Sequence, residues 1–248
     1  MKKNIRLLAA VALGLPLCAV AGPDDYVITP NIEYGEREID IKYGTERFKD
    51  ESLRNSAGSI GFGWGAREWL FLEGYLKYHK EGSEKTKYDA VEFESRFQLT
   101  EHNKYPVDIG FVAEFEIPKE HHEEGYEFKF GPLFQMDTGP LRWNANLLFE
   151  RHYHGEEPSQ MEMGYQLQSR YDFSRNFGVG VQAFGDLGKW NHWSSHSEQE
   201  HVVGPAIFGR VKLGEGRRDQ INWNAAYLFK ASDAAPDNRF RLQVEYEF

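Results

Sequence analysis

Polar and apolar side chains alternate along almost the whole of this 248-residue chain. The alternation is clear in VDIGFVAEFEI (107–117), MEMGYQLQSRYDF (161–173) and INWNAAYLF (221–229). A period of two residues separates the side chains onto the two faces of a β-strand, whereas an amphipathic helix needs a period of about 3.6. No helical pattern of comparable length is present, so the sequence predicts an all-β protein.

About twelve alternating runs can be counted, which predicts twelve antiparallel strands in one domain. The predicted strands are 37–48, 56–65, 67–79, 86–99, 105–117, 124–136, 140–152, 160–173, 177–188, 200–213, 219–230 and 237–248. Tight connections alternate with longer polar ones such as KDESLRN, KEGSEKT and WNHWSSHSEQ. Short turns at one end and long loops at the other are typical of bacterial transmembrane β-barrels, whose short turns face the periplasm. An even strand count then places both ends of the barrel on the periplasmic side.

The first 21 residues have the features of a secretory signal peptide. MKKNIR is basic, LLAAVALGLPLCAV is apolar but short for a spanning helix, and AVA (19–21) fits cleavage before Gly22. The predicted organisation is therefore a signal peptide (1–21), a periplasmic lead-in or extra strand (22–36) and a transmembrane barrel (37–248).

The charge and cysteine content exclude two classes of protein. Loss of the signal peptide removes Lys2, Lys3 and Arg6 and takes the formal net charge from −10 to −13. A chain this acidic is not expected to bind nucleic acid. Cys18 is the only cysteine, so the processed chain cannot be a disulfide-stabilised scaffold. No stretch after residue 21 approaches the length of about 18 apolar residues that a membrane helix needs.

The tryptophans favour a membrane barrel over a secreted β-sandwich. Trp64, Trp69, Trp143 and Trp223 each lie a few residues from a predicted periplasmic turn, as an interfacial aromatic girdle requires. Aromatic residues also favour strands in general, which is the alternative explanation. A sandwich would give alternating strands too, but it usually has some fully apolar ones. Here nearly every strand keeps one polar face.

The chain ends in RFRLQVEYEF, with an apolar face formed by Phe240, Leu242, Val244, Tyr246 and Phe248. Together with the signal peptide and the amphipathic strands, this ending resembles Gram-negative outer-membrane β-barrel proteins. In that class the terminal aromatic strand is recognised by the barrel-assembly machinery, so the resemblance implies that role for these five residues. It also implies contact with outer-membrane lipid and lipopolysaccharide. Size and strand count are similar to small porins for acidic oligosaccharides and to proteobacterial transporter-like barrels linked to phenol degradation.

Charged residues on the predicted inward faces bear most directly on function. An acidic wall is predicted on strands four to six, formed by Glu92, Glu94, Asp108, Glu114, Glu116 and Glu127. A basic wall is predicted on strands ten to twelve, formed by Arg210, Lys212, Lys230, Arg239 and Arg241. In a twelve-stranded cylinder these walls would face each other across a pore and orient polar solutes. The alternative is that the charges pair with their neighbours and fill a closed lumen.

These features predict a passive outer-membrane channel for small polar or charged solutes, with no cofactor. One alternative is a closed structural or interaction barrel that acts through its extracellular loops. Another is an outer-membrane hydrolase, because one loop carries the residue types Ser194, Ser195, His192, His196 and Glu198. No Gly-x-Ser-x-Gly motif is present and a flexible loop rarely holds a triad. The chain is therefore predicted not to be an enzyme, and no catalytic residue is assigned.

Eight histidines fall in or near predicted extracellular loops. They are His79, His121, His122, His152, His154, His192, His196 and His201. Imidazoles at one rim could bind zinc or copper, or change the rim charge near pH ~6. No spacing such as H-E-x-x-H is present, so no metal site is assigned.

Two Gly-Pro pairs, Gly131–Pro132 and Gly204–Pro205, lie within predicted strands. Proline cannot donate to the ladder of backbone hydrogen bonds. A bulge or kink is therefore expected at each pair.

Overall fold

The computed structural model describes residues 22–49, 54–155, 160–214 and 219–248. The predicted signal peptide, residues 1–21, lies outside the described residues, as do parts of two predicted loops (50–53 and 156–159) and of one turn (215–218). The strands are β1 (Arg37–Arg47), β2 (Asn55–Arg67), β3 (Leu70–Lys80), β4 (Lys87–Gln98), β5 (Asp108–Pro118), β6 (Tyr126–Thr138), β7 (Leu141–Tyr153), β8 (Glu162–Ser174), β9 (Phe177–Lys189), β10 (Glu200–Lys212), β11 (Gln220–Lys230) and β12 (Asn238–Glu247). Each begins and ends within three residues of its predicted run.

A four-residue helix, α1 (His121–Glu124), is the only helix in the described part of the chain. No helix there is long and apolar enough to cross a membrane.

The strands close into one antiparallel barrel, in which every strand pairs with its sequence neighbours and β1 pairs with β12. At the seam, Tyr43 lies opposite Leu242. Beyond the last strand residue, Phe248 N donates to Arg37 O at 2.8 Å and Arg37 N donates to Phe248 O at 3.3 Å. Closure leaves no exposed sheet edge. The predicted twelve-stranded antiparallel β-barrel is confirmed.

The two ends of the barrel differ in their connections. At the end that holds Arg37 and Phe248, here named the turn end, two-residue turns join β2 to β3, β6 to β7 and β8 to β9. At the opposite end, named the loop end, the connections contain six to ten residues. The connection from β4 to β5 at the turn end is longer than predicted. Its residues Leu99 and Thr100 both donate their backbone N–H to Ile109 O and so turn back onto β5.

The barrel has an apolar outside and a charged inside. On β1, Ile41 is 49% exposed whereas its neighbour Asp40 is 1% exposed. The same alternation leaves large apolar side chains on the outside of the other strands, among them Phe62, Leu72, Phe93, Phe115, Leu147, Leu167, Val181, Ile207 and Phe229. In the described part of the chain, eleven acidic but only three basic residues are buried. This distribution is the reverse of a water-soluble protein, which buries apolar side chains and exposes charged ones.

The four predicted girdle tryptophans lie near the turn end. Trp64, Trp69 and Trp143 are 44%, 54% and 44% exposed. Trp223 is half-buried, because its ring covers the site where Gly209 lacks a side chain.

Neither Gly-Pro pair forms a bulge, so the bulge that was one of the two expected distortions is wrong. On β6, Phe130 pairs with Phe149 and Leu133 pairs with Asn146, so the register is the same on both sides of Gly131–Pro132. The ladder to β7 is interrupted for two residues, while the ladder to β5 continues. The same holds at Gly204–Pro205, where the ladder to β9 continues and that to β11 is interrupted. Proline lacks a backbone N–H and therefore interrupts the ladder to only one of the two neighbouring strands. This loss does not force an extra residue into the strand.

Candidate functional site

Residues 22–36, which the sequence left as a periplasmic lead-in or extra strand, run through the barrel and form no strand in the structure. Near the loop end, Pro23 O lies so close to the backbone of Gly44 that a Cβ atom added to this glycine would be 1.8 Å from it. Near the turn end, an ideal Cβ at Gly65 would lie 2.1 Å from Glu33 O, and Gly35 N donates to Gly65 O at 2.8 Å. The segment therefore follows the barrel axis through the lumen, and we name residues 22–36 the lumen segment.

Side-chain amides of the barrel bind the backbone of the lumen segment. Ile28 N donates to Gln166 Oε1 at 3.2 Å, and Asn146 Nδ2 donates to Ile28 O at 2.9 Å. Nearer the turn end, Ile32 N donates to Gln98 Oε1 at 2.8 Å. Buried backbone groups without partners are costly, and the segment forms no β-ladder with a partner strand. Inward-facing amides take the place of that strand.

Apolar patches on the inner wall hold the side chains of the lumen segment. Ile28 is 1% exposed and packs with Val112, Leu133 and Leu148. Val27 belongs to a second patch, whose other residues are Phe184, Val202, Ala206, Phe208, Ala226 and Leu228 of the wall and Ala235 of the connection between β11 and β12. Burial of a side chain such as Ile28 stabilises the docked segment by about 2 kcal/mol.

Tyr26 connects the lumen segment to the charged part of the wall. Its hydroxyl donates to Glu94, and Lys42 Nζ lies 3.3 Å from the centre of its ring. An ammonium over an aromatic face is attracted by the ring electrons. The same Lys42 lies 3.6 Å from the ring centre of Tyr75, so it is enclosed between two aromatic rings.

Lysines neutralise many of the inward carboxylates on β4 to β7. Lys77 Nζ donates to Glu92, 3.0 Å away, and to Glu116. Lys129 Nζ lies 3.4 Å from carboxylate oxygens of Glu114 and Glu127 and 3.5 Å from Glu150.

Arginines form similar groups elsewhere in the lumen. Arg96 lies 3.1 Å from Glu94, 3.5 Å from Glu38 and 3.8 Å from Glu73. Arg239, 1% exposed, lies 2.7 Å from both Glu46 and Glu200. The attraction within a buried ion pair offsets the cost of removing its charges from water only when the two groups lie close together in a favourable geometry.

The structure places the predicted wall residues as follows. Glu92, Glu94, Asp108, Glu114, Glu116, Arg239 and Arg241 are buried, Glu127, Arg210 and Lys230 are half-buried, and Lys212 is exposed. Arg239 of β12 pairs with Glu46 of the adjacent strand β1 and with Glu200 of β10, one strand further along the wall, and Arg241 donates to Gln182 of β9 at 2.5 Å. On the acidic side, Asp108 lies 2.6 Å from His102, and the other five carboxylates pair with Lys77, Arg96 or Lys129. The charges are therefore matched mainly by neighbours on the same side of the lumen.

Sequence reasoning missed most of the inward acids outside strands four to six. They are Glu38, Asp40, Glu46, Glu73, Asp186 and Glu200, all buried, and the half-buried Glu150 and Glu162. Strand parity is the signal that identifies them, since each lies on the polar face of its own run. Carboxylates consequently surround the lumen instead of forming one wall.

A cavity of about 80 Å³ lies between the lumen segment and the wall, toward the loop end. Asp24, Asp25, Tyr26 and Ile28 line it from the segment. The wall contributes residues from several strands, including Lys77, Glu114, Lys129, Leu148, Glu150, Glu162, Met163 and Asp186. A water needs roughly 10–15 Å³ measured in this way, so the cavity can hold several waters or a small solute.

The histidines of the predicted rim do not come together at one site in the described residues. His152 Nε2 lies 3.6 Å from Glu150 and 3.9 Å from Glu127, and these three side chains could supply ligands to a metal ion. Lys129 already lies within 3.5 Å of both carboxylates. A second such group, Glu36, Glu38 and Glu247, lies at the turn end. The other rim histidines have separate contacts, such as His79 with Asp89 at 2.7 Å.

The loop between β9 and β10 carries the hydrolase-like residue types, but its hydrogen bonds are not those of a catalytic triad. Ser195 Oγ donates to Glu198 Oε2 at 2.8 Å. Hydrogen bonds from the Ser195 side chain and backbone hold the pKa of Glu198 below its ordinary value. The ring of His196 packs against that of His201, with centres 5.6 Å apart. The serine thus contacts a carboxylate and not a histidine, so it does not form the Ser–His pair of a typical hydrolase.

The fold and lumen define a closed twelve-stranded barrel with an apolar exterior and a charged interior crossed by its own chain. No protein family model matches the sequence, and no curated protein matches it. Among solved structures, the barrel is similar to the COG4313 outer membrane channel from Pseudomonas putida F1, with a TM-score of 0.56 and 12% identity over 91% of this chain and 98% of that chain. OprD from Pseudomonas aeruginosa aligns with a TM-score of 0.36 and 9% identity, covering 90% of this chain and 97% of that chain. Because the sequence identity is so low, the similarity to the COG4313 channel establishes the fold alone.

Proposed function

We propose that this protein is an outer-membrane channel for the passive passage of small polar or charged solutes. The observation that carries the proposal is the inside-out barrel, apolar where it would meet lipid and charged around its lumen. Closed barrels satisfy every backbone group without water, which is the condition for crossing a bilayer with strands. The likeness to a solved outer membrane channel supports the same function.

The route of assembly forms part of the proposal. Residues 1–21 direct export and are removed before Gly22. The barrel-assembly machinery then recognises the apolar face from Phe240 to Phe248. In the membrane the turn end faces the periplasm and the loop end faces outward, as in other bacterial barrels. Lipid and lipopolysaccharide contact the exterior.

The lumen segment determines the width of the pore. It occupies the barrel axis, so solutes pass between the segment and the wall, along the cavity lined by Lys77, Lys129 and Asp186. The excess of buried acids over buried bases favours cations, because charged rings with low-dielectric walls select ions by sign.

One observation favours a closed barrel that acts through its loops. The lumen segment and the ion-paired side chains fill much of the interior, as in small barrels whose lumen is packed by their own residues. Passive ion flow separates the two functions, since a packed lumen conducts no current.

The deciding experiment records purified, folded barrel in a planar lipid bilayer under a potassium chloride gradient. A channel gives discrete current steps with a reversal potential on the cation-selective side. Heat-denatured barrel from the same preparation is the control for detergent artefacts. Absence of current steps from correctly folded protein would overturn the channel and support the closed barrel.

A further inference from the structure

Carboxylates lie directly opposite each other on neighbouring strands beside the lumen cavity. Glu150 of β7 is the cross-strand partner of Glu162 of β8, and Asp186 of β9 is that of Glu200 of β10. Like charges in this arrangement destabilise a sheet. A cation close to them would offset the repulsion.

Two of these carboxylates lie close to a basic side chain, whereas Asp186 does not. Lys129 Nζ lies 3.5 Å from Glu150, and Arg239 lies 2.7 Å from Glu200. Asp186 is 8% exposed, and its Oδ1 accepts a hydrogen bond from Gly188 N at 2.7 Å. Its Oδ2 is buried and has no hydrogen-bond partner among the described residues. None of the basic side chains that the structure describes forms an ion pair with Asp186, although unpaired buried charges are costly.

A distortion of the sheet positions Asp186. The register between β8 and β9 shifts between Glu162 and Gly164, opposite Lys189 and Asp186. Gly188, in the same short stretch, has a φ of 76°, which a side chain would disfavour. Bulges of this kind are common beside functional sites, where they redirect one side chain.

The cavity beside Asp186 also has an apolar part. Ile28 of the lumen segment, Leu148 and Met163 line the same space as Glu150, Glu162 and Asp186. A bare metal ion would have no use for these apolar side chains. A short alkyl chain that carries an ammonium group matches the carboxylates and the apolar side chains of this lining, which also includes Lys42, Lys77 and Lys129.

We propose that Asp186, with Glu150 and Glu162, forms a binding site for small alkylammonium ions near the loop end of the lumen. The ammonium group donates to Asp186 Oδ2, and the alkyl part lies against Ile28, Leu148 and Met163. The proposal rests on the proposed function, because it names the class of solute that such a channel would accept.

The first test measures binding of 1,4-diaminobutane to the detergent-folded barrel by titration calorimetry. The wild-type protein should bind, and Asp186→Asn should bind about tenfold more weakly, as expected for loss of a hydrogen bond to a charged group. Asp233→Asn removes one carboxylate from an exposed loop and should bind like the wild type. Absence of binding to the wild type, equal affinity for Asp186→Asn, or equal weakening in Asp233→Asn would each overturn the site.

A second variant and a second readout keep the two proposals separate. If Asp186→Asn does not fold, Glu162→Gln takes its place and should also weaken binding. In bilayer recordings, diamine added at the loop end should interrupt the wild-type potassium current and interrupt that of Asp186→Asn less. Current without Asp186-dependent block would overturn the alkylammonium site alone. Absence of any current, with Asp186-dependent binding intact, would overturn the channel and retain the site.

Discussion

Asn146 Nδ2 donates a hydrogen bond to the backbone carbonyl of Ile28, 2.9 Å away. The same amide donates to Gln166 Oε1 at 2.9 Å, and Gln166 in turn accepts from Ile28 N. Two wall residues thus satisfy both backbone groups of one residue in the lumen segment. We expect the width of the lumen to depend on whether this contact is kept.

Asn146→Ala is expected to loosen the lumen segment. The substitution leaves Ile28 O without its buried donor, which costs about 1–3 kcal/mol of docking free energy. In bilayer recordings this variant should show larger and more frequent open events than the wild type. Asn144→Ala is the matched control, because Asn144 lies on the same strand and bonds to Gln135 at 3.1 Å instead of the segment. Equal gating in all three proteins would contradict the role of Asn146.

Arg239→Met is expected to destabilise the barrel strongly. It leaves Glu46 and Glu200 buried without their shared partner, and breaking a buried pair in this way costs about 3–5 kcal/mol. Urea unfolding from lipid vesicles measures the loss. The triple variant Arg239→Met, Glu46→Gln, Glu200→Gln removes the unpaired charges and should recover much of the stability. A triple variant no more stable than Arg239→Met would show that charge pairing is not the cause.

Lys129→Met is expected to increase cation selectivity. Lys129 contacts Glu114, Glu127 and Glu150, so its removal exposes their charge to permeating ions. The cation-to-anion permeability ratio, obtained from reversal potentials, should rise by about twofold. Lys104→Met removes a lysine that pairs with Glu101 in an exposed turn and should leave the ratio unchanged. A ratio that does not move in Lys129→Met would place this lysine away from the ion path.

Removal of Phe248 is expected to impair assembly. Its backbone pairs with Arg37 at the seam, and its ring stacks on Tyr246 with centres 5.3 Å apart. The fraction of folded barrel in outer membranes, measured by heat-dependent gel mobility, should fall when Phe248 is deleted. Phe248→Tyr keeps an aromatic ring and the backbone contacts and should assemble normally. Normal assembly of the deletion would argue against an insertion signal at this position.

The barrel could be predicted from the sequence because its determinants are local. Alternation with a period of two, as in residues 107–117, reports directly which side chains face lipid and which face the lumen. The lengths of the connections likewise distinguish the two ends of the barrel, because short turns lie at one end and longer loops at the other. These signals require no knowledge of distant contacts, so all twelve strands could be located in advance.

The lumen segment could not be predicted because its partners are remote in sequence. The contact between Ile28 and Asn146 spans 118 residues. A weak signal was present on the inward faces, where Val112, Leu133 and Phe184 interrupt otherwise polar sets of side chains. Apolar residues facing a water-filled pore need a covering group, and residues 22–36 provide it. The neighbour pairing of Arg239 likewise depends on the register between strands, which composition does not reveal.

The central claim is that the barrel is a channel narrowed by its own lumen segment. Single-channel conductance of the wild type and of a variant lacking residues 24–33 tests it most directly. The wild type should give a small cation-selective current, and the deletion should raise the conductance about twofold or more, because pore width controls ion flow. A conductance that is unchanged in the folded deletion variant, or no current from either protein, would contradict the account.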